Sequence, residues 1–159
     1  MGPVIRSATA GDVPQILSMI RGLAEYERLE HLCVATEEAL ARALFGARPH
    51  AEVVIVENEG HPAGFALFFH NFSTFLGRRG LYLEDLFVRP EHRRKGYGRA
   101  LLRHLATIAA ERGCGRFEWS VLDWNSDAIS FYESLGAAIL PDWRIARVTG
   151  PALEALARS

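Results

Sequence analysis

The chain has 159 residues, enough for one domain with its own core and no need of staples. Hydrophobic residues make up 49% and charged residues 23%, and the formal net charge of -1 gives no bulk pull toward nucleic acid. No apolar run reaches membrane-spanning length and no secretory leader pattern opens the chain, so a cytoplasmic protein with no membrane or nucleic-acid partner is expected.

In chain order, Val4–Ala8 reads as a first strand, and Thr9–Asp12 as a turn and helix cap with Pro14 close behind. Ile16, Leu17, Ile20, Leu23 and Ala24 form a helical stripe. Thr36 caps a second helix that Gly46 stops. The apolar runs 51–57 and 63–69, joined by Asn58-Glu59-Gly60-His61-Pro62, predict a hairpin. Leu81–Val88 is the next strand, and Gly96–Arg112 is an amphipathic helix ended by Gly113. Arg116–Leu122 predicts a strand, Asn125–Leu135 a helix, Arg144–Thr149 a last strand and Pro151–Ala157 a short closing helix. The order β-α-α-β-β-β-α-β-α-β, with an early meander, predicts an α/β (α+β) fold on a mixed central sheet. There are no repeats or linkers, so residues 1–159 are expected to form one domain.

The stretch from Leu81 to Leu102 carries the chemistry. A strand holding Glu84 and Asp85 runs into Arg89-Pro90-Glu91-His92-Arg93-Arg94-Lys95-Gly96-Tyr97-Gly98-Arg99 and then into a helix. Backbone amides at a glycine-bearing helix start bind anions, and the helix dipole adds to the attraction. The spacing is neither that of a Walker loop nor that of a dinucleotide fingerprint. From spacing alone, a solvated basic turn is as good a reading. Simple alternation puts Tyr82, Glu84, Leu86 and Val88 on one face and Leu81, Leu83, Asp85 and Phe87 on the other, which separates the two carboxylates unless the strand carries a bulge. Cys33 and Cys114 show no metal or disulfide pattern, and His31, His50, His61, His70, His92 and His104 have no metal spacing, so no metal is expected.

Residues 85–105 resemble the acetyl-CoA signature of the GNAT N-acetyltransferase superfamily, Arg/Gln-x-x-Gly-x-Gly/Ala, read here as Arg93-x-x-Gly96-x-Gly98. The similarity runs from Ile5 to Trp143 and is closer to the spermidine/spermine (diamine) and thialysine acetyltransferase branch. It rests on Ile5–Thr9, Glu25-Tyr26-Glu27, Tyr82–Val88, Leu122-Asp123-Trp124-Asn125 and Phe131–Ala137. The resemblance implies a mixed, mostly antiparallel sheet flanked by helices and splayed at the cofactor site.

The resemblance also implies the site residues. Leu86, Phe87 and Val88 would hold the pantetheine arm of acetyl-CoA by main-chain bonds. The turn, with Arg93, Arg94, Lys95, Gly96, Tyr97, Gly98 and Arg99, would hold its pyrophosphate. Asn125, Ser126 and Ala128 would add a second contact, though Asn125 is equally a helix cap. Glu84 stands at the position of the water-mediated base, and Tyr132 at that of the acid for the leaving thiolate. Tyr26, Glu27, Glu84, Asp85, Glu118, Trp119 and Trp143 map to the acceptor side. The implied activity is acetylation of a primary amino group of a small amine, by direct transfer in a ternary complex and by a homodimer. Protein or peptide acetylation and a non-catalytic acyl-CoA sensor are the alternatives. The polyamine pattern breaks at Thr74, Leu76, Ser18 and the short Leu140-Pro141-Asp142 stretch, which favours a shorter amine such as a diamine, lysine or thialysine.

Overall fold

The structure, a computed structural model, describes residues 2–159. It separates into two compact units, the first ending at Ser120 and the second running Val121–Ser159. The first unit holds β1 (Val4–Ser7), α1 (Val13–Tyr26), α2 (Glu37–Phe45), β2 (Glu52–Asn58), β3 (His61–Ser73), β4 (Arg78–Val88), α3 (Tyr97–Glu111) and β5 (Phe117–Trp119). The second holds α4 (Ser126–Ser134) and α5 (Gly150–Arg158).

The five strands lie in sequence order, antiparallel from β1 to β4, with β5 added parallel to β4. That is the mixed, mostly antiparallel sheet expected. The β2–β3 hairpin turns at Glu59 and Gly60, both at positive φ (51° and 78°), the two-residue geometry that matches strand twist. β3 runs on to Ser73, and Gly77 at φ 64° turns the chain into β4.

Both sheet faces are covered. Val53, Ile55, Phe65 and Phe87 pack with Ile16 and Met19 of α1 and Leu44 of α2. On the other face Phe68, Leu81 and Leu83 are buried, as are Leu101, Leu102 and Leu105 of α3, which packs on β3 and β4. A sheet apolar on both faces explains the near-continuous apolar runs of β2 and β3. The caps read from sequence are present, with Thr36 Oγ1 accepting from the Ala39 amide at 3.2 Å.

Two expectations need correction. The last strand, Arg144–Thr149, does not form; these residues are exposed and carry no sheet pairing. Ile145 and Val148, three residues apart, fall on opposite faces of an extended chain, so they build no apolar face to seat a strand against a partner ladder. The strand expected over Arg116–Leu122 pairs only at Phe117–Trp119. Its shortness follows from an irregularity in β4 that lies at the site.

Candidate active site

Leu83 of β4 pairs with Phe68 of β3, yet Asp85 pairs with Leu67, so Glu84 is an extra residue in the strand. This is a β-bulge, and it resets the alternation. Cross-strand partners share a face. Tyr82, opposite Phe69 with ring centroids 5.3 Å apart, therefore lies on the face of Leu67 and Phe65. After the bulge Asp85 and Phe87 lie on that same face, opposite Leu67 and Phe65. Glu84, two residues beyond Tyr82, belongs to it as well. The separation of Glu84 from Asp85 expected of a regular strand does not hold, because the excepted bulge is present and puts both carboxylates toward α1.

The same bulge opens the sheet. The parallel pairing of β4 with β5 ends at Leu83–Trp119, and Glu84–Val88 continue without a β5 partner among the described residues. A bulge bends its strand and raises local twist, which is why β5 cannot follow. The backbone of Leu86, Phe87 and Val88 is thereby left unpaired on one side, as the expected splay requires.

Helix α1 crosses this face. Gly22 lets the helix pass close to Phe87, whose Cζ would lie 2.7 Å from an added Cβ. One turn on, Tyr26 lies 5.2 Å from the Arg93 guanidinium carbon, and Glu27 caps the helix. Glu27 completes an acidic group with Glu84 and Asp85. Burial, and then Glu84, raise Glu27 above the ordinary carboxylate range. Burial, followed by Glu84 and Glu27, pushes Asp85 up to about 6. Three carboxylates that raise one another's pKa make a locally acidic group whose chemistry suits a cationic ligand.

After Val88 the chain makes a short turn at Pro90–His92 and reaches the start of α3. Arg94 (φ 64°) and the cap Gly96 (φ 80°) adopt left-handed backbone, and no side chain caps the helix. A Cβ added at Gly96 or Gly98 would meet nothing within 4 Å, so the first-turn amides open onto unfilled space. This cradle, next to the unpaired edge of β4, fits an elongated ligand ending in phosphate. The side chains expected around it are partly committed. Arg93 Nε donates to Val88 O (3.1 Å), Lys95 Nζ meets His92 Nδ1 (3.1 Å), and the Tyr97 hydroxyl donates to Asn58 Oδ1 (2.6 Å). Arg94 and Arg99 are exposed.

Glu118 lies on β5 beside Tyr82 and accepts from Asn71 Nδ2 at 3.4 Å, while Trp119 packs at 4.9 Å on the Phe117 ring. Tyr82, at the start of the motif that holds Glu84, bonds Ser120 Oγ through its hydroxyl at 2.9 Å across the β4–β5 pair. In the second unit Asn125 Oδ1 accepts from the Ala128 amide (3.3 Å), so the capping role is realised. Ser126 opens α4, and the Tyr132 ring lies 5.6 Å from that of Phe131. Trp143 is exposed. No cluster of metal-ligating side chains occurs, and no helix is long and apolar enough to cross a membrane, among the described residues.

A splayed mixed sheet, a glycine-started helix following β4 and carboxylates beside the opening make the frame of a group-transfer enzyme. The chain belongs to the acetyltransferase (GNAT) family, whose pattern matches residues 20–137, and it is an N-acetyltransferase. It is 39% identical to an L-ornithine N5-acetyltransferase of Arabidopsis thaliana, over 96% of this chain and 86% of the relative. It is also 39% identical to a thialysine N-epsilon-acetyltransferase of Sus scrofa, over 97% and 96%. Among solved structures, an integron cassette protein from the mobile metagenome of V. cholerae matches with a TM-score of 0.83 at 29% identity, covering 100% of this chain and 99% of that one.

Proposed function

We propose that this enzyme moves an acetyl group from acetyl-CoA to a primary amino group of a small amine of the diamine or basic amino-acid class. The observation that carries the reading is the bulge at Glu84, which gathers Glu27, Glu84 and Asp85 next to the open edge of β4. Carboxylates in one compact group suit a short substrate with one or two ammonium groups. A long polycation needs carboxylates spaced along its length. Relatives that act on ornithine and thialysine support the same class.

In this reading Leu86, Phe87 and Val88 hold the donor's pantetheine through the backbone. The amides from Arg94 to Arg99 take its pyrophosphate, with Asn125, Ser126 and Ala128 as a second contact. The donor supplies an acyl carbon activated as a thioester. An amine near the ordinary pKa of about 10.4 arrives protonated, and Glu84 takes that proton through a water. The amine nitrogen bonds to the acyl carbon, the carbon–sulfur bond breaks, the Tyr132 phenol gives its proton to the departing thiolate, and the second proton shed by the nitrogen passes through solvent to restore the phenol. A backbone N–H near Phe87 steadies the charge that develops on the acyl oxygen. The whole chain acts as one acetyltransferase domain, and it pairs into a homodimer through its C-terminal helix, where Leu153 and Leu156 are exposed.

The test is CoA release across ornithine, lysine, thialysine, diamines and polyamines. We expect turnover with the short amines and a loss of about 100-fold or more in kcat for Glu84→Gln. Silence with every amine overturns the reading, and undiminished activity of Tyr132→Phe removes the acid.

A further inference from the structure

We infer that Arg93 is a positioning residue that ties the cofactor turn to the acceptor side of the site, and not a ligand of the donor's pyrophosphate. The inference rests on the acetyl-CoA reading above. Arg93 leaves the turn and reaches back: its Nε donates to Val88 O, the last residue of β4, at 3.1 Å. Its guanidinium carbon lies 5.2 Å from the Tyr26 ring and 5.6 Å from the Phe87 ring. These contacts join three pieces of the site. Val88 and Phe87 belong to the open strand, and Tyr26 to the last turn of α1. Glu27, the third carboxylate, is the next residue.

The geometry has two consequences. The bond to Val88 O closes the loop from Val88 to Arg93, so the amides that begin α3 keep a fixed register to β4. Stacking on Tyr26 holds the end of α1, and hence Glu27, over Glu84 and Asp85. Turning the guanidinium outward to a phosphate would surrender one charge-assisted bond and two ring contacts. The exposed Arg94 and Arg99 stand on the same turn without that loss. One side chain thereby couples donor and acceptor positions that lie on different elements.

The experiment compares Arg93→Met, which removes donor and charge, with Arg93→Gln, which keeps an N–H for Val88 O. Each is assayed with acetyl-CoA and with S-acetylpantetheine, which lacks the pyrophosphate. Binding of CoA and of pantetheine is measured by calorimetry. Amide exchange is followed over Ala24–Arg28 in the whole protein. We expect Arg93→Met to raise the amine KM about fivefold with both donors, and to weaken CoA and pantetheine in equal proportion. Exchange at the end of α1 should rise, and Arg93→Gln should recover much of the loss. A loss confined to CoA and acetyl-CoA, with pantetheine and the amine KM unmoved, overturns the inference and makes Arg93 a phosphate ligand. Unchanged exchange over Ala24–Arg28 overturns it as well. A wild-type protein that binds no CoA sinks the acetyl-transfer reading, and the exchange measurement then still decides whether Arg93 holds α1.

Discussion

Two glycines show how tightly single atoms define the open strand. A Cβ at Gly64 would lie 2.6 Å from the Phe87 carbonyl oxygen, and one at Gly22 would lie 2.7 Å from Cζ of the Phe87 ring. The obstacles differ in kind. A carbonyl in the ladder moves only with its strand, whereas a ring edge can tilt. Overpacking costs about 1–3 kcal/mol, and replacing a helical glycine by alanine returns about 1 kcal/mol. Gly64→Ala is therefore expected to lose about 2–3 kcal/mol in urea unfolding. Gly22→Ala should lose no more than about 1 kcal/mol, yet reduce kcat/KM by displacing Phe87. Equal destabilisation by the two variants would contradict this. Neither requirement is legible in the sequence, because each depends on a residue more than 20 positions away.

At the scale of elements, most of the architecture was written in local pattern: the caps at Thr9 and Thr36, the Glu59-Gly60 turn, and the apolar stripes of α1 and α3. What was not local was misread. The bulge is invisible to a period-two reading because it is defined by the register against β3, although two adjacent acids inside an apolar strand are its trace. The absent strand at 144–149 is the same lesson, since β-branched residues without a partner ladder do not make a strand. Long-range ties such as that between β1 and α1 were likewise unreadable. Arg6 donates to both oxygens of the buried Asp12, at 2.8 and 2.9 Å, and to Glu57 of β2. The Arg6 bond, together with bonds from Thr9, outweighs burial and holds Asp12 near 2, against 3.8 for an ordinary aspartate. A lowered carboxylate pKa stabilises the fold above the unfolded value, and that stability is lost as pH falls through the folded one. Asp12→Asn should cost about 2 kcal/mol at pH 7. The gap to wild type in denaturant midpoints should close between pH 3.8 and about 2. A constant gap across that window would assign the effect to lost packing instead of charge.

At the scale of the whole molecule, the acidic group weakens the fold that holds it. Asp85 is raised to about 6 by burial first and by its two neighbours second. The sign is opposite to that of Asp12. A folded pKa above the unfolded 3.8 means that ionised Asp85 weakens the fold at neutral pH, and that the strain is relieved as pH falls through 6 toward 3.8. On the proposed function, a cationic amine bound there would relieve the same strain by supplying the missing counter-charge, so stability and acceptor binding would draw on one source. Asp85→Asn should therefore raise the melting temperature at pH 8 and have little effect at pH 4.5, while weakening the amine at pH 8. In wild type the amine KM should climb as pH drops below about 6, with the acetyl-CoA KM flat, because the cradle at α3 holds no carboxylate of this group. Amine binding near pH 6 should also release protons from Asp85, read as a buffer-dependent binding enthalpy. If Asp85→Asn leaves stability at pH 8 unchanged, or the amine KM is flat from pH 8 to 5, the carboxylates do not act as one strained receptor. The bulge would then serve only to open the sheet.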